Sequence, residues 1–314
     1  MKKIIVVTGG AGFVGGNLIE KLLKETRYKI ISIDNYSSGS IRNHVKDKRV
    51  NYIKESTSNI SKLLNKYKSK IHTIFHFGEF SRIYQSFLKM DECIMSNSIG
   101  THAVFNFCLS NKIKLVYSAT SASLGNKGKD KNLSPYAFTK SKNLEYLQNL
   151  KKWFNFKYEV IFFYNVYGPR QITSGRMATV IGIFEEHYIK NKPLPIVRPG
   201  NQSRRFTHIN DTIKICYQAW KKNRCTFYSI SNKKSFSIIE VAKLFQSKIK
   251  YLPFRKGERF ASALTNISAK NKIIKHFGKI QLKDYIGDFI KKNKRVELAY
   301  FFNLLSYPLN NFEK

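Results

Sequence analysis

Tyr136 and Lys140 lie four residues apart, and Thr120 stands sixteen residues before the tyrosine. On a helix, residues at that spacing project from one face. A free phenol is a poor base, with a pKa of about 10. An ammonium one turn away favours the phenolate and draws that value toward the working pH, and a positive nicotinamide ring adds to the effect. Thr120, brought in at a strand end, would hydrogen-bond the same substrate hydroxyl. The chemistry expected of such a set is oxidation of an alcohol, hydride leaving the carbon as the proton leaves the oxygen. On its own, Tyr-x-x-x-Lys is also what an ordinary surface helix carries, so the rest of the chain decides.

The N-terminus supplies a hydride acceptor's site. TGGAGFVG occupies residues 8–15, between a strand-like and a helix-like run. Gly9, Gly12 and Gly15 would let the chain turn tightly and a pyrophosphate approach the backbone, with the helix N-terminus offering amide donors. Asp34 follows nineteen residues after Gly15, ending a second strand-like run. A carboxylate there can accept both adenosine ribose hydroxyls and would repel a 2′-phosphate, which favours NAD over NADP.

These residues need a sheet to hold them. Strand-like β-branched runs fall at 3–8, 29–33, 50–54, 73–77, 113–118 and 158–163, with helical patterns at 14–24, 61–67, 95–110 and 134–154. That alternation predicts an α/β fold, a Rossmann-type doubly wound parallel sheet covered on both faces. After Gly168-Pro169 the alternation loosens into a helix at 177–190, a strand at 205–208 and helices at 211–221 and 237–245. Ser237 with Glu240 makes a capping-box pattern. Tyr300, Phe301, Phe302, Leu304 and Leu305 among lysines predict an amphipathic C-terminal helix. The expected division is 1–168 as the NAD-binding domain, with about 205–225 returning to it. Residues 169–204 and 226–314 would form a smaller, interlaced substrate lobe.

With 314 residues, 42% hydrophobic and 24% charged, the chain has the composition of a folded globular protein. No apolar run is long enough for a membrane span, and MKKIIVV reads as a first strand, not a leader. Cys93, Cys108, Cys216 and Cys225 have no metal-like spacing, so reduced thiols, a cytoplasmic setting and no metal are expected. Fifty-six Lys and Arg against twenty Asp and Glu give a net charge of +36. Anionic substrates, nucleic acid or an acidic surface would each suit that charge. The basic residues are scattered, as in a lysine-rich proteome, so no specific nucleic acid partner is expected.

Taken with HFGEFSR from His76, SATSASLG from Ser118, SPYAFTK from Ser134, FYNVYGPR from Phe163, RRFTHIND from Arg204 and RKGE from Arg255, the chain resembles the extended short-chain dehydrogenase/reductases of the nucleotide-sugar epimerase/dehydratase family, in the pattern of its UDP-glucose 4-epimerases. The resemblance runs from residue 3 to about residue 270. It implies that Phe13, Val14, Asn35, Phe77, Gly78, Glu79, Ser81, Asn97 and Tyr164 line the NAD site with the glycines and Asp34. Lys140 would also hold the nicotinamide ribose. Asn165, Arg204 and Arg255 would hold the substrate's nucleotide diphosphate beside Thr120 and Tyr136, arginine being suited to phosphate oxygens. The chain departs from the family at Glu55-Ser56-Thr57, where an Asp near the adenine is usual, so that contact passes to the Ser56 or Thr57 hydroxyl. It departs again at Glu79, a position usually small; the carboxylate could approach the nicotinamide, the sugar or solvent.

Family members share oxidation at C4 of the sugar and differ in the step after it. Dehydratases carry Asp-Glu after the catalytic threonine and decarboxylases Ser-Glu, whereas this chain has Ser121-Ala122. The resemblance therefore implies C4 epimerisation of a UDP-hexose-type substrate through a 4-keto intermediate. A 4,6-dehydratase, decarboxylase or 4-reductase is the alternative, and a polyanion-binding scaffold without activity ranks last. A homodimer through helices 95–110 and 134–154 is also implied; Val104, Phe105, Phe107, Leu144 and Leu147 would serve either that contact or the core.

Overall fold

The computed structural model describes residues 3–257 and 273–305, excluding the side chains of 125–128 and 295–305. Eight parallel strands form the central sheet: β1 (Ile4–Thr8), β2 (Lys29–Asp34), β3 (Val50–Lys54), β4 (Ile71–His76), β5 (Lys114–Thr120), β6 (Tyr158–Phe163), β7 (Phe227–Ser231) and β8 (Ile273–Phe277). Their spatial order is β8-β7-β6-β5-β4-β1-β2-β3. Every residue of β1 is buried, as a strand covered on both faces must be. Alternation along it feeds two cores. Val6 packs with Ile33, Phe105 and Tyr117 on one face, while Ile5 and Val7 pack with Leu18, Leu22 and Trp220 on the other. Burying each such aliphatic side chain stabilises the fold by about 1.5–3 kcal/mol.

Helices α1 (Phe13–Glu25), α2 (Thr101–Ser110), α3 (Pro135–Phe154) and α5 (Ile209–Lys222) pack on the sheet, with α4 (Val180–Ile189), α6 (Ile238–Leu244) and α7 (Leu282–Leu305) beyond it. A third core of Tyr167, Phe184, Phe206, Phe245 and Ile286 joins α4, α6 and α7. The sheet order reverses between β1 and β4, which pair directly with Thr8 opposite His76. In doubly wound sheets, ligands bind in the crevice beyond the strand ends at such a reversal.

The doubly wound sheet agrees with the sequence expectation, but it is larger. Strands β7 and β8 fall after residue 226, and β7 pairs in parallel with β6. The stretch that returns to the sheet therefore extends past 205–225. The expected strand at 205–208 is split: Ser203–Arg205 pairs antiparallel with Ser235–Ser237, and Thr207–His208 parallel with Val166–Tyr167. Helix 95–110 opens as a π-helix over Met95–Gly100 before continuing as α2, a local widening that often marks a functional site. Its expected apolar face is core: Val104 and Phe105 are 0% exposed, as is Leu147 on α3. Ser237 and Glu240 make both bonds of the capping box. Helix α7 covers the expected C-terminal helix, whose side chains from Tyr300 onward lie outside the described residues. Among the described residues, no helix is long and apolar enough to cross a membrane.

Candidate active site

A cavity of about 900 Å³ opens over the carboxyl ends of β1, β4 and β5 and extends to Arg204 and Arg255. Its first wall is the glycine turn. Gly9 has φ +71°, and a Cβ there would stand 2.8 Å from the Gly78 backbone. A Cβ on Gly15 would stand 2.1 Å from the Gly9 carbonyl. The two chain segments thus meet backbone to backbone, and only glycine permits it. Asp34 ends β2 beneath this turn, accepting from the Ala11 amide at 3.0 Å and the Tyr36 amide at 2.8 Å. Burial raises its pKa, and these amides oppose the shift. A glycine cradle at a helix N-terminus, with a carboxylate beside it, is a donor and acceptor set that fits NAD. Phe13, Val14, Asn35, Ser56 and Thr57 line the same end.

Thr120, Tyr136 and Lys140 all line the cavity. Thr120 is the last residue of β5, and its Oγ1 accepts from the Ala122 amide at 3.1 Å. Tyr136 and Lys140 come from the first two turns of α3, which Ser134 caps by accepting from the Ala137 amide at 3.1 Å. The Tyr136 amide donates to Ser86 Oγ at 3.2 Å, fixing the start of the helix. Tyr136 is 8% exposed, a phenol on the wall of a pocket and not on a surface helix.

Glu79 lines the cavity, and its carboxylate is engaged within the protein. Its side chain is 2% exposed and forms a salt bridge with Lys140. Three further donors converge on its Oε1: Thr101 Oγ1 at 3.0 Å, Tyr117 OH at 3.0 Å and Asn143 Nδ2 at 3.1 Å. Lys140 also donates to the Ser118 carbonyl at 2.5 Å and to Tyr117 OH at 3.4 Å. An ammonium has three hydrogens, and here all three are spent on the protein. Burial, then the adjacent Glu79, hold the Tyr117 phenol well above its ordinary pKa, so it remains a donor.

A directional chain of hydrogen bonds ties this cluster to the glycine turn. Thr101 donates to Glu79, so it accepts from His76 Nε2 at 2.9 Å. That leaves His76 Nδ1 to accept from Thr8 Oγ1 at 2.7 Å, while Thr8 Oγ1 takes the Phe77 and Gly78 amides at 3.2 and 3.0 Å. Burial pushes His76 down to about 4, consistent with this neutral tautomer. The loop carrying Phe77, Gly78 and Ser81 is thereby fixed along the cavity wall.

Asn165, Arg204 and Arg255 also line the cavity. Asn165 Nδ2 donates to the Arg205 carbonyl at 2.8 Å, and the Arg255 guanidinium lies 5.2 Å from the Tyr84 ring. Two expected residues do not reach the cavity. Asn97, 0% exposed, accepts from the Phe80 amide at 2.7 Å and donates to the Phe80 carbonyl and Thr139 Oγ1, pinning the loop to α3 from behind. Tyr164 is buried in the core on the β5–β6 side. Sequence reasoning passes over Arg82, which also lines the cavity; its signal is the unusual GEFSR run itself.

The geometry has counterparts. A model described as the NAD dependent epimerase/dehydratase family matches residues 5–230. An uncharacterized UDP-glucose epimerase of Bacillus subtilis is 30% identical over 229 residues, covering 67% of this chain and 70% of that protein. A UDP-N-acetyl-alpha-D-glucosaminuronate decarboxylase of Bacillus cytotoxicus is 27% identical over 287 residues, 82% of this chain and 85% of its own length. Among solved structures, the UDP-glucose 4-epimerase of Thermotoga maritima with UDP-glucose superposes with a TM-score of 0.81 at 23% identity, over 93% of this chain and 99% of that one. At that identity the likeness is one of fold.

Proposed function

The chain belongs to the NAD dependent epimerase/dehydratase family, and from that premise we propose that it inverts C4 of a nucleotide-diphosphate sugar of the UDP-hexose type, with Tyr136 taking and returning the hydroxyl proton. Bound NAD supplies the acceptor and donor of the hydride. Thr120 orients the C4 hydroxyl toward Tyr136, and Arg204 and Arg255 hold the diphosphate.

The observation that carries the reading is the poverty of acid–base groups around Tyr136. Elimination of water and decarboxylation each need a further group at C5 or C6. Ser121 and Ala122 provide none. Glu79 has its acceptors filled by Lys140, Thr101, Tyr117 and Asn143. Asp34 and Glu55 sit at the ends of β2 and β3, on the cofactor side. Glu92 is exposed and paired with Lys89 at 2.6 Å, and Asp91 is exposed in the same short helix. With one proton-transfer group, the simplest fate of a 4-keto sugar is rotation and re-reduction on its other face.

Incubating the protein and NAD with UDP-glucose, UDP-N-acetylglucosamine and their uronic acids, followed by proton NMR, tests this. The C4-inverted sugar is the expected product. Loss of water or carbon dioxide would replace the epimerase reading with dehydration or decarboxylation.

The same reading extends to a homodimer. With Val104, Phe105 and Leu147 in the core, the large apolar residues left exposed on the two helices are Met95 (55%), Ile99 (50%), Phe138 (43%), Trp153 (58%) and Phe154 (60%). Sedimentation equilibrium should give twice the chain mass; a monomer at micromolar concentration would remove this part of the proposal.

A further inference from the structure

We propose that a second cavity, at the opposite end of the sheet from Tyr136, binds a nucleotide. Arg27, Lys112, Lys157 and Lys221 would hold its phosphates, and its base would stack on Phe154.

This cavity measures about 850 Å³, within the range that encloses a ligand of that size. It lies where β2, β4, β5 and β6 begin, whereas the catalytic cavity lies where the strands end. Tyr28, His72 and Trp220 line it as one aromatic cluster, with ring centroids 5.3, 5.7 and 6.0 Å apart. The Trp220 indole N–H donates to Thr73 Oγ1 at 3.0 Å, which fixes that ring. Phe154, the last residue of α3, also lines the cavity and is 60% exposed. An aromatic face left open beside cations is the combination that takes a base and its phosphates.

The charges at this end are unbalanced. Five basic residues line the cavity, the four named and Lys114, against one acidic residue, Glu25. The lysine-rich composition does not account for this, because the catalytic cavity of the same chain is lined by four basic and five acidic residues. Glu25 is taken by Lys21 at 2.7 Å, and Lys114 by Glu159 at 3.2 Å and the Trp220 carbonyl at 3.0 Å. The other four cations are exposed, and among the described residues none of them forms a salt bridge. Helix carboxyl ends attract cations, and α2, α3 and α5 end here. Other donors meet their carbonyls, however: Asn111 Nδ2 on Phe107, the Asn155 amide on Lys151 and the Asn223 amide on Ala219. Four unmatched positive charges around one cavity repel one another, and a polyphosphate relieves that through charge-assisted hydrogen bonds. A monoanion would leave three of the four unmatched.

The test is tryptophan fluorescence of the full chain titrated with ATP. The chain has two tryptophans. Trp220 lines this cavity, the Trp153 ring lies 6.3 Å from that of Phe154, and neither lines the catalytic cavity. Saturable quenching is expected. Lys112→Glu/Lys157→Glu should weaken ATP binding about tenfold or more. Lys291→Glu/Lys292→Glu, the same charge change on exposed residues of α7, should leave it unchanged. Phe154→Ala should weaken ATP about fivefold or more, and leave the affinity for inorganic triphosphate, read by its displacement of ATP, as it was. Absence of saturable quenching would overturn the proposal. So would equal weakening in the two lysine pairs, since the chain's overall charge would then be what ATP feels. An unchanged ATP affinity in Phe154→Ala would overturn the assignment of the ligand as a nucleotide. No sugar enters the titration, so its outcome is independent of the C4 reaction.

Discussion

Tyr136→Phe is expected to lower kcat about a thousandfold while leaving KM within a fewfold and the fold intact. Positioned general acid–base groups contribute about 10²–10⁴-fold, and Tyr136 is the one proton-transfer group placed beside Thr120. The substitution removes a hydroxyl and leaves the ring among Phe80, Cys93, Ala122 and Ala137. Its amide bond to Ser86 persists, because the backbone makes it. An interaction used in the transition state and not in substrate binding should reduce kcat and kcat/KM together. Steady-state kinetics on the sugar identified by NMR measure this directly. A fall of less than tenfold would mean that another group moves the proton. Asp91, exposed in the helix Met90–Ile94 on the cavity wall, would then be the first residue to replace.

The parts of this site that can be read from sequence are those set by local spacing. Gly9, Gly12 and Gly15 answer to a tight strand–helix turn, and Tyr136 and Lys140 to one turn of helix, so both sets are visible within short windows. Glu79 cannot be placed in that way. Its donors Thr101, Tyr117 and Asn143 lie 22, 38 and 64 residues away, on α2, β5 and α3, and they converge only when the sheet has formed. Asn97 misleads for the same reason: a polar residue near a cofactor loop looks like a ligand until its bonds to Phe80 and Thr139 are seen. Strand β7 escapes because Phe-Tyr-Ser-Ile-Ser mixes serines into a short run. Its burial comes from β6 and β8 on either side, a tertiary circumstance that no window of sequence contains. Arg82 is easily passed over among the chain's many basic residues, and only the GEFSR run around it sets it apart before the cavity places it.

The second large effect is on stability. Glu79→Ala is expected to destabilise the protein by about 3–5 kcal/mol, the range for removing one partner of a buried ion pair. The loss is not that of a single bond. Lys140, whose side chain is 5% exposed, would remain as a buried ammonium without a counter-charge. Thr101, Tyr117 and Asn143 would each lose an acceptor, Asn143 alone keeping the Asn97 carbonyl, and an unsatisfied buried donor costs about 1–3 kcal/mol before any rearrangement. Set against this, the desolvation of the buried carboxylate itself no longer has to be offset. The electrostatic and hydrogen-bond terms therefore decide the sign. Adding Lys140→Met should return part of the loss, because the orphaned charge goes with it, while Thr101 and Tyr117 still lack the acceptor that Glu79 supplied. A double-mutant cycle on denaturant unfolding separates the two contributions, with a coupling energy of about 1–3 kcal/mol expected for residues in one network. A cost below about 1 kcal/mol for Glu79→Ala is what an exposed pair would show. It would mean that water reaches Lys140 readily.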